Sequence, residues 1–262
     1  MGFALLLFMK GFMVYKILIS IFIFFIPICA SAEEITVAAA ANVQYTLEEL
    51  KAEFEKNSDI KIKTIIGSSG KLTAQIENGA PFDIFLSADV EYPQTLYKEN
   101  LALEAPKIYA YGRLVLWTMK DIDLSQGVQI LNKNFVKKIA IANSQTAPYG
   151  REAVNAMKYY KLYNDVERKL VYAQSISQVN QFITTQAADV GFTAKSVVLA
   201  NNMKDQGKWI EVAEDAYQPI AQGVVILKNT QKNNLKNAQA FYDFLFTMKA
   251  QEIFKKYGYI LP

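Results

Sequence analysis

DIKIKTIIGSSGKLTAQIENGAPFDIFLSAD, residues 59–89, holds a strand, a turn, a helix, a second turn and a strand in one run. DIKIKTII (59–66) places isoleucine at 60, 62 and 66, the period of a β-strand. Glycine, two serines and glycine (67–70) end it. Leu72 and Ile76 then fall on one helical face, with Ser69 as candidate N-cap and Asn78-Gly79 as the stop. DIFLSA (83–88) is the next strand-like run. Strand, helix and strand in that order predict a parallel unit with a right-handed crossover.

The same alternation extends both ways. Upstream, EITVAAAA (34–41) reads as a short buried strand. Thr46 and Glu49 have the spacing of a capping box, and Leu47, Leu50 and Phe54 follow at helical spacing. Downstream, RLVLWTM (113–119), KKIAIA (137–142), KLVYAQ (169–174), ADVGFTA (188–194) and QGVVIL (222–227) are strand-like. Between them come a helix carrying Ala153, Val154 and Met157, and one capped by Ser175 with Ile176, Val179, Phe182 and Ile183. Leu235, Ala238, Phe241 and Leu245 set a helical stretch over 234–256. The pattern predicts two α/β lobes, with the chain crossing near IYAYGR (108–113) and YQPIAQG (217–223). Residues 33–112 begin the first lobe, 113–222 form the second, and 223–262 return to complete the first.

In open α/β sheets, ligands sit beyond the carboxyl ends of the strands, at the N-termini of the following helices. GSSG lies there, and three reactive readings of it fail or weaken. A phosphate-binding Walker loop needs glycine at position 65 and a hydroxyl at 72; the chain has Ile65 and Leu72. A nucleophile elbow starting at Gly67 needs glycine at 71, which is Lys71. The chain has no histidine, which removes a Ser-His-Asp triad and any histidine-bound metal. An exported hydrolase using Ser69 with Lys71 as base remains an alternative, but neighbours two apart on a helix point in different directions.

Composition narrows the class. Residues 1–32 carry only Lys10 and Lys16 as charges, then ILISIFIFFIPICASA, ending in a small-residue cleavage pattern. This reads as a signal peptide, with Met13 as an alternative start. The chain beyond it has no cysteine, since Cys29 is the only one, so an exported protein would rest on its core and not on disulfides. It has 26 basic against 25 acidic residues, which gives no electrostatic case for nucleic acid.

Four strand-to-helix turns share one chemistry: AANV (40–43), GSSG (67–70), TAPYG (146–150) and QSIS (174–177). None contains a charged residue. Free N–H groups and the helix dipole favour an anion at such a turn. A hydrogen bond to a charged group nets roughly 1.5–3 kcal/mol. About four to seven of them offset the desolvation of a dianion and leave binding on the order of −8 kcal/mol or better, micromolar or tighter. A lining without proton acceptors favours a fully deprotonated ion. Capping alone also accounts for small residues at each turn taken singly, and Tyr149 taken singly fits a packed surface aromatic.

ITVAAAANV, GSSGKLTAQIENGAPFDIFLSAD and APYGREAV together resemble the periplasmic molybdate-binding proteins of ABC importers. The run Ser-x-x-Leu-x-x-Gln-Ile-x-x-Gly-Ala-Pro-x-Asp-x-Phe-x-Ser-Ala starts at Ser69, and the likeness reaches the closing AFYDFLFTMKAQEIFKKYGYILP. The resemblance implies a two-lobe class II periplasmic binding protein fold, each lobe a mixed, mostly parallel sheet flanked by helices. It implies molybdate, with tungstate as an equal ligand, held in the inter-lobe cleft. It further implies a monomer in the periplasm that docks on a membrane permease, with no cofactor, no enzymatic activity and no metal held except as an oxyanion. Carried over by position, Asn42 offers its amide and N–H, Ser69 its hydroxyl and N–H, and Tyr149 and Ile176 their backbone N–H groups. A tyrosine that some members add in a later strand falls here on Ala194, leaving the Tyr149 phenol as a substitute. Asp83 reads as a cap for nearby N–H groups, since a carboxylate repels a dianion. Sulfate, thiosulfate and phosphate are the alternative ligands.

Overall fold

The computed structural model describes residues 33–230 and 232–262; the expected signal peptide lies outside them. The chain begins β1 (Glu34–Ala40), α1 (Gln44–Lys56), β2 (Lys61–Gly67), α2 (Ser69–Glu77), β3 (Ile84–Leu86), α3 (Glu91–Lys98) and β4 (Lys107–Gly112). It continues β5 (Leu114–Thr118), β6 (Ile139–Ala142), α4 (Pro148–Tyr159), α5 (Tyr163–Val166), β7 (Leu170–Ala173), α6 (Ile176–Thr184), β8 (Val190–Ala194) and α7 (Lys195–Val198). Last come β9 (Lys208–Glu211), β10 (Ile220–Ile226), α8 (Lys232–Phe244) and α9 (Met248–Lys256).

The strands form two five-stranded sheets, ordered β2-β1-β3-β10-β4 and β7-β6-β8-β5-β9. In each, three strands are parallel neighbours and two further pairings are antiparallel. The fold is therefore the two-lobe α/β architecture with mixed sheets. The chain leaves the first sheet after Gly112, enters the second at Leu114, and returns between Glu211 and Ile220.

Continuous apolar runs become central strands because helices cover both faces. β1 is buried at Ile35 and from Val37 onward, and β5 is buried throughout. Leu47, Leu50 and Phe54 of α1 and Phe241 of α8 close over the first sheet, with the Phe54 and Phe241 ring centres 5.2 Å apart, edge to face. Each such side chain contributes roughly 1.5–3 kcal/mol when fully buried. The second lobe is built around Trp117, Phe192, Ile139 and Ile141.

Register sets the site. In β1 and β2, Ala40 stands beside Gly67 at the carboxyl ends. In β6 and β7, Ala142 stands beside Ala173. Two turns are thereby side by side in each lobe.

Three local expectations need correction. Thr46 does not open a capping box: a 3-10 turn over Ala41–Val43 runs straight into α1, so Thr46 is inside the helix, buried, with an unpaired hydroxyl. The N-cap of α2 is Ser68, not Ser69, which is its first helical residue. The stretch 234–256 is two helices, because Thr247 accepts the Ala250 N–H at 3.3 Å and starts α9 afresh. The Asn78-Gly79 stop is present, with Gly79 at φ 84°.

Candidate functional site

The four turns meet. Asn42, Ser69, Tyr149 and Ile176, singled out from the sequence, all line one small cavity between the lobes. Asn42 comes from the turn after β1, Ser69 from that after β2, Tyr149 from that after β6 and Ile176 from that after β7. None of the residues lining the cavity is charged. Nearby cations are committed elsewhere. Lys71 Nζ donates to Gln174 Oε1 at 2.9 Å, and Arg151 is held by three carboxylates. Among the described residues no cluster of histidine, cysteine, aspartate or glutamate is fit to hold a metal ion.

Ser69, Tyr149 and Ile176 stand in first helical turns, where N–H groups have no intrahelical acceptor. The neighbouring N–H of Gly70 is taken by the Thr146 carbonyl across the cleft, at 2.9 Å. Gly70 permits this approach: a Cβ there would lie 2.6 Å from the Tyr92 hydroxyl and 3.0 Å from Thr146 Cα. Ser69 is fully buried and its Oγ accepts the Ala88 N–H at 3.0 Å, which leaves its proton to donate.

Ser68 also lines the cavity, and the sequence reading did not assign it a role. It is the N-cap of α2 by backbone conformation (φ −79°, ψ 148°), yet its side chain makes no capping bond. Its hydroxyl is buried without a partner. A second orphaned atom in the lining is Asn42 Oδ1. Buried polar atoms are nearly always paired, so two without a protein partner in the wall of one cavity suit it to a polar ligand.

Behind Asn42 runs a hydrogen-bonded cluster that no short motif reveals, because its members come from distant parts of the chain. Asn42 Nδ2 donates to Gln222 Oε1 (2.9 Å) and to the Tyr259 hydroxyl (3.3 Å). Tyr109 donates to Gln222 Oε1 (2.7 Å), and Ser196 donates to the Asn42 carbonyl (2.7 Å). The Tyr149 phenol packs over Gly112, where any side chain would collide with it, and accepts from Gln222 Nε2 at 3.4 Å. Burial, reinforced by neighbouring phenols, pushes Tyr149 and Tyr109 well above the usual tyrosine range, so both phenols keep their protons. Asp83 lies apart from the cavity lining and accepts the Thr36 N–H at 2.7 Å.

Contacts across the cleft show the lobes closed on one another. Tyr92 donates to the Gln145 carbonyl (3.0 Å), and Ser177 donates to Gln44 Oε1 (2.9 Å). Arg151 of α4 reaches Asp89 (3.1 Å) and Glu91 (3.0 Å) at the start of α3.

Two α/β lobes closed over a small polar cavity define a solute receptor, and the chain belongs to the family of bacterial extracellular solute-binding proteins, matching it over residues 35–260. That family is one of binding proteins, in agreement with the non-enzymatic expectation. Among individual relatives, the chain is 39% identical over 231 residues to the molybdate-binding protein ModA of Azotobacter vinelandii, spanning 88% of this chain and 91% of the relative. It is 38% identical over 232 residues to ModA of Rhodobacter capsulatus, spanning 88% and 90%. The solved periplasmic molybdate-binding protein of Azotobacter vinelandii superposes with TM-score 0.82 at 35% identity, over 87% of this chain and 99% of that one.

Proposed function

We propose that the protein is an extracytoplasmic receptor that encloses molybdate, and tungstate equally, between its lobes and presents the closed form to the permease of an ABC importer. It acts as a monomer in the periplasm, exported by residues 1–32. Molybdate enters as cargo and is held through its oxygens. Asn42 and Ser69 donate from the first lobe, and the N–H groups of Tyr149 and Ile176 from the second. Ser68 adds a hydroxyl.

The observation that carries this reading is the orphaned pair, Ser68 Oγ and Asn42 Oδ1, in a lining that holds donors and no charged side chain. Such a wall binds an anion without reacting with it. It also holds no carboxylate or imidazole to take a proton from a ligand, which favours a fully deprotonated tetrahedral dianion. The two molybdate-binding relatives and the molybdate-binding structure support the choice among such ions.

A thermal-shift panel of oxyanions tests it. Molybdate and tungstate should raise the melting temperature strongly, by mass action on the folded state, and sulfate, thiosulfate and phosphate should not. Stabilisation by sulfate alone would move the assignment to another tetrahedral oxyanion.

A further inference from the structure

We infer that Gln222 is a positioning residue for the anion site: it and Asn42 invert their amides together when an oxyanion enters, turning Asn42 Nδ2 from the protein toward the ligand. This rests on the oxyanion reading above. Asn42 is 2% exposed and lines the cavity. Both protons of its Nδ2 are directed at Gln222 and Tyr259. The end of the amide left over is Oδ1, buried and unpaired. An oxygen in that place repels an anion. A half-turn of the amide exchanges acceptor for donor with little change in shape.

Asn42 cannot turn alone, because Oδ1 would then face Gln222 Oε1. Gln222 must turn with it, and its surroundings allow this. Its Nε2 would donate to Asn42 Oδ1 and to the Tyr109 oxygen. Tyr109 already has a second acceptor for its own proton, the Ser87 carbonyl at 3.2 Å. Gln222 Oε1 would swing toward Tyr149, whose phenol then donates where it now only accepts, over 3.4 Å. Tyr259 would turn its proton from the Asn42 carbonyl, 3.2 Å away, to Asn42 Oδ1, and Ser196 continues to donate to that carbonyl at 2.7 Å. Within the protein the inverted pattern leaves only Asn42 Nδ2 needing an acceptor, and the anion supplies it. Gln222 is fully buried on β10, the strand by which the chain returns to the first lobe, at a shift in its pairing with β4. It therefore links a donor of the first lobe to Tyr149 of the second.

Titration calorimetry with molybdate on Gln222→Met, Asn42→Ala and the double variant tests the linkage. Each single change should weaken binding about tenfold to a hundredfold, the scale of one or two charge-assisted hydrogen bonds. The double variant should bind no worse than Asn42→Ala, because Gln222 acts through Asn42. Independent, multiplying losses would overturn the inference, as would unchanged affinity in Gln222→Met. On the wild-type protein, nitrogen-15 spectra of the side-chain amides should show Asn42 and Gln222 shifting together on molybdate addition. This arm decides the matter even if Gln222→Met fails to fold. Binding with both signals unmoved would reject the inversion and leave the receptor reading intact. Wild-type protein that bound no oxyanion would remove both.

Discussion

Ser68 and Ser69 are neighbours with the same side chain and opposite thermodynamic positions. Ser69 Oγ already receives the Ala88 N–H, so its proton is what remains to offer a ligand. Ser69→Ala should weaken molybdate binding by roughly 1–3 kcal/mol, the cost of charge-assisted hydrogen bonds left unmade. Calorimetry showing unchanged affinity would take Ser69 out of the site. Ser68 Oγ is buried and has no partner within the protein, so folding gains no internal hydrogen bond from it. Ser68→Ala should therefore raise the stability of the ligand-free form by about 1 kcal/mol while lowering molybdate affinity. Urea melts without ligand and calorimetry with it give the two signs; a change that weakened both would mark Ser68 as structural. The same residues predict a flat pH response. The chain has no histidine, and the phenols of Tyr109 and Tyr149 are pushed upward by burial. Affinity should hold constant from about pH 6 to 9, since no lining group titrates there. A bell-shaped profile in that range would reveal a charged participant.

Elements declared themselves in the sequence to the extent that the core dictated them. β1, β5, β6 and β8 are apolar runs because both faces are covered, and they were readable. β4 reads as a polar–aromatic crossing, since it is an edge strand in which Tyr109 is buried and Tyr111 half-buried. α3 went unread because Pro93 stands in it, at the third helical position, where the missing N–H costs nothing. Cap positions mislead at these turns. The hydroxyls of Ser68 and Ser175 make no capping bond, and Ser68 instead faces the cavity, so a rule built on helix stability placed the boundary one residue late at α2. The four turns were legible because strand ends and helix starts are local, whereas Gln222 and Tyr259 join Asn42 only through folding.

Asp189 shows an element junction that titrates. Burial tends to raise its carboxyl. Hydrogen bonds from Lys120 and from the Lys138 and Lys137 N–H groups outweigh that and hold it below the usual aspartate range. Between its folded and unfolded values the unfolded chain binds more protons. The stabilisation is thus present above the unfolded value and lost as pH falls through the folded one. Asp189→Asn should lower stability near neutrality by about 1–3 kcal/mol and flatten the acid limb of the curve, read from urea melts across pH. An acid limb as steep as in the wild type would assign it to other carboxylates.

For the whole molecule, the question is what holds the lobes closed once the ion is inside. In the proposed binding mode the ion itself bridges them through donors from both. Arg151 adds a contact from the second lobe to the first, reaching Asp89 and Glu91 while Glu152 of its own helix holds it in place. The two partners are unequal. The Asp89 side chain is 7% exposed and that of Glu91 72%. Burial pushes the Asp89 carboxyl upward against the pull of Arg151, so its charge depends on that guanidinium. An exposed pair contributes only about 0–1 kcal/mol, whereas removing the partner of a buried charge costs several times more. Arg151 is itself more than a third exposed, which places the expected loss below the range for fully buried pairs. Arg151→Met should therefore speed molybdate release by about tenfold with little change in the association rate, and Glu91→Gln should leave both nearly unchanged. Stopped-flow displacement measures both rates. If the two variants slowed or sped release alike, the latch would not run through Asp89, and closure would rest on the ion and the other contacts across the cleft, those of Gly70, Tyr92 and Ser177 among them.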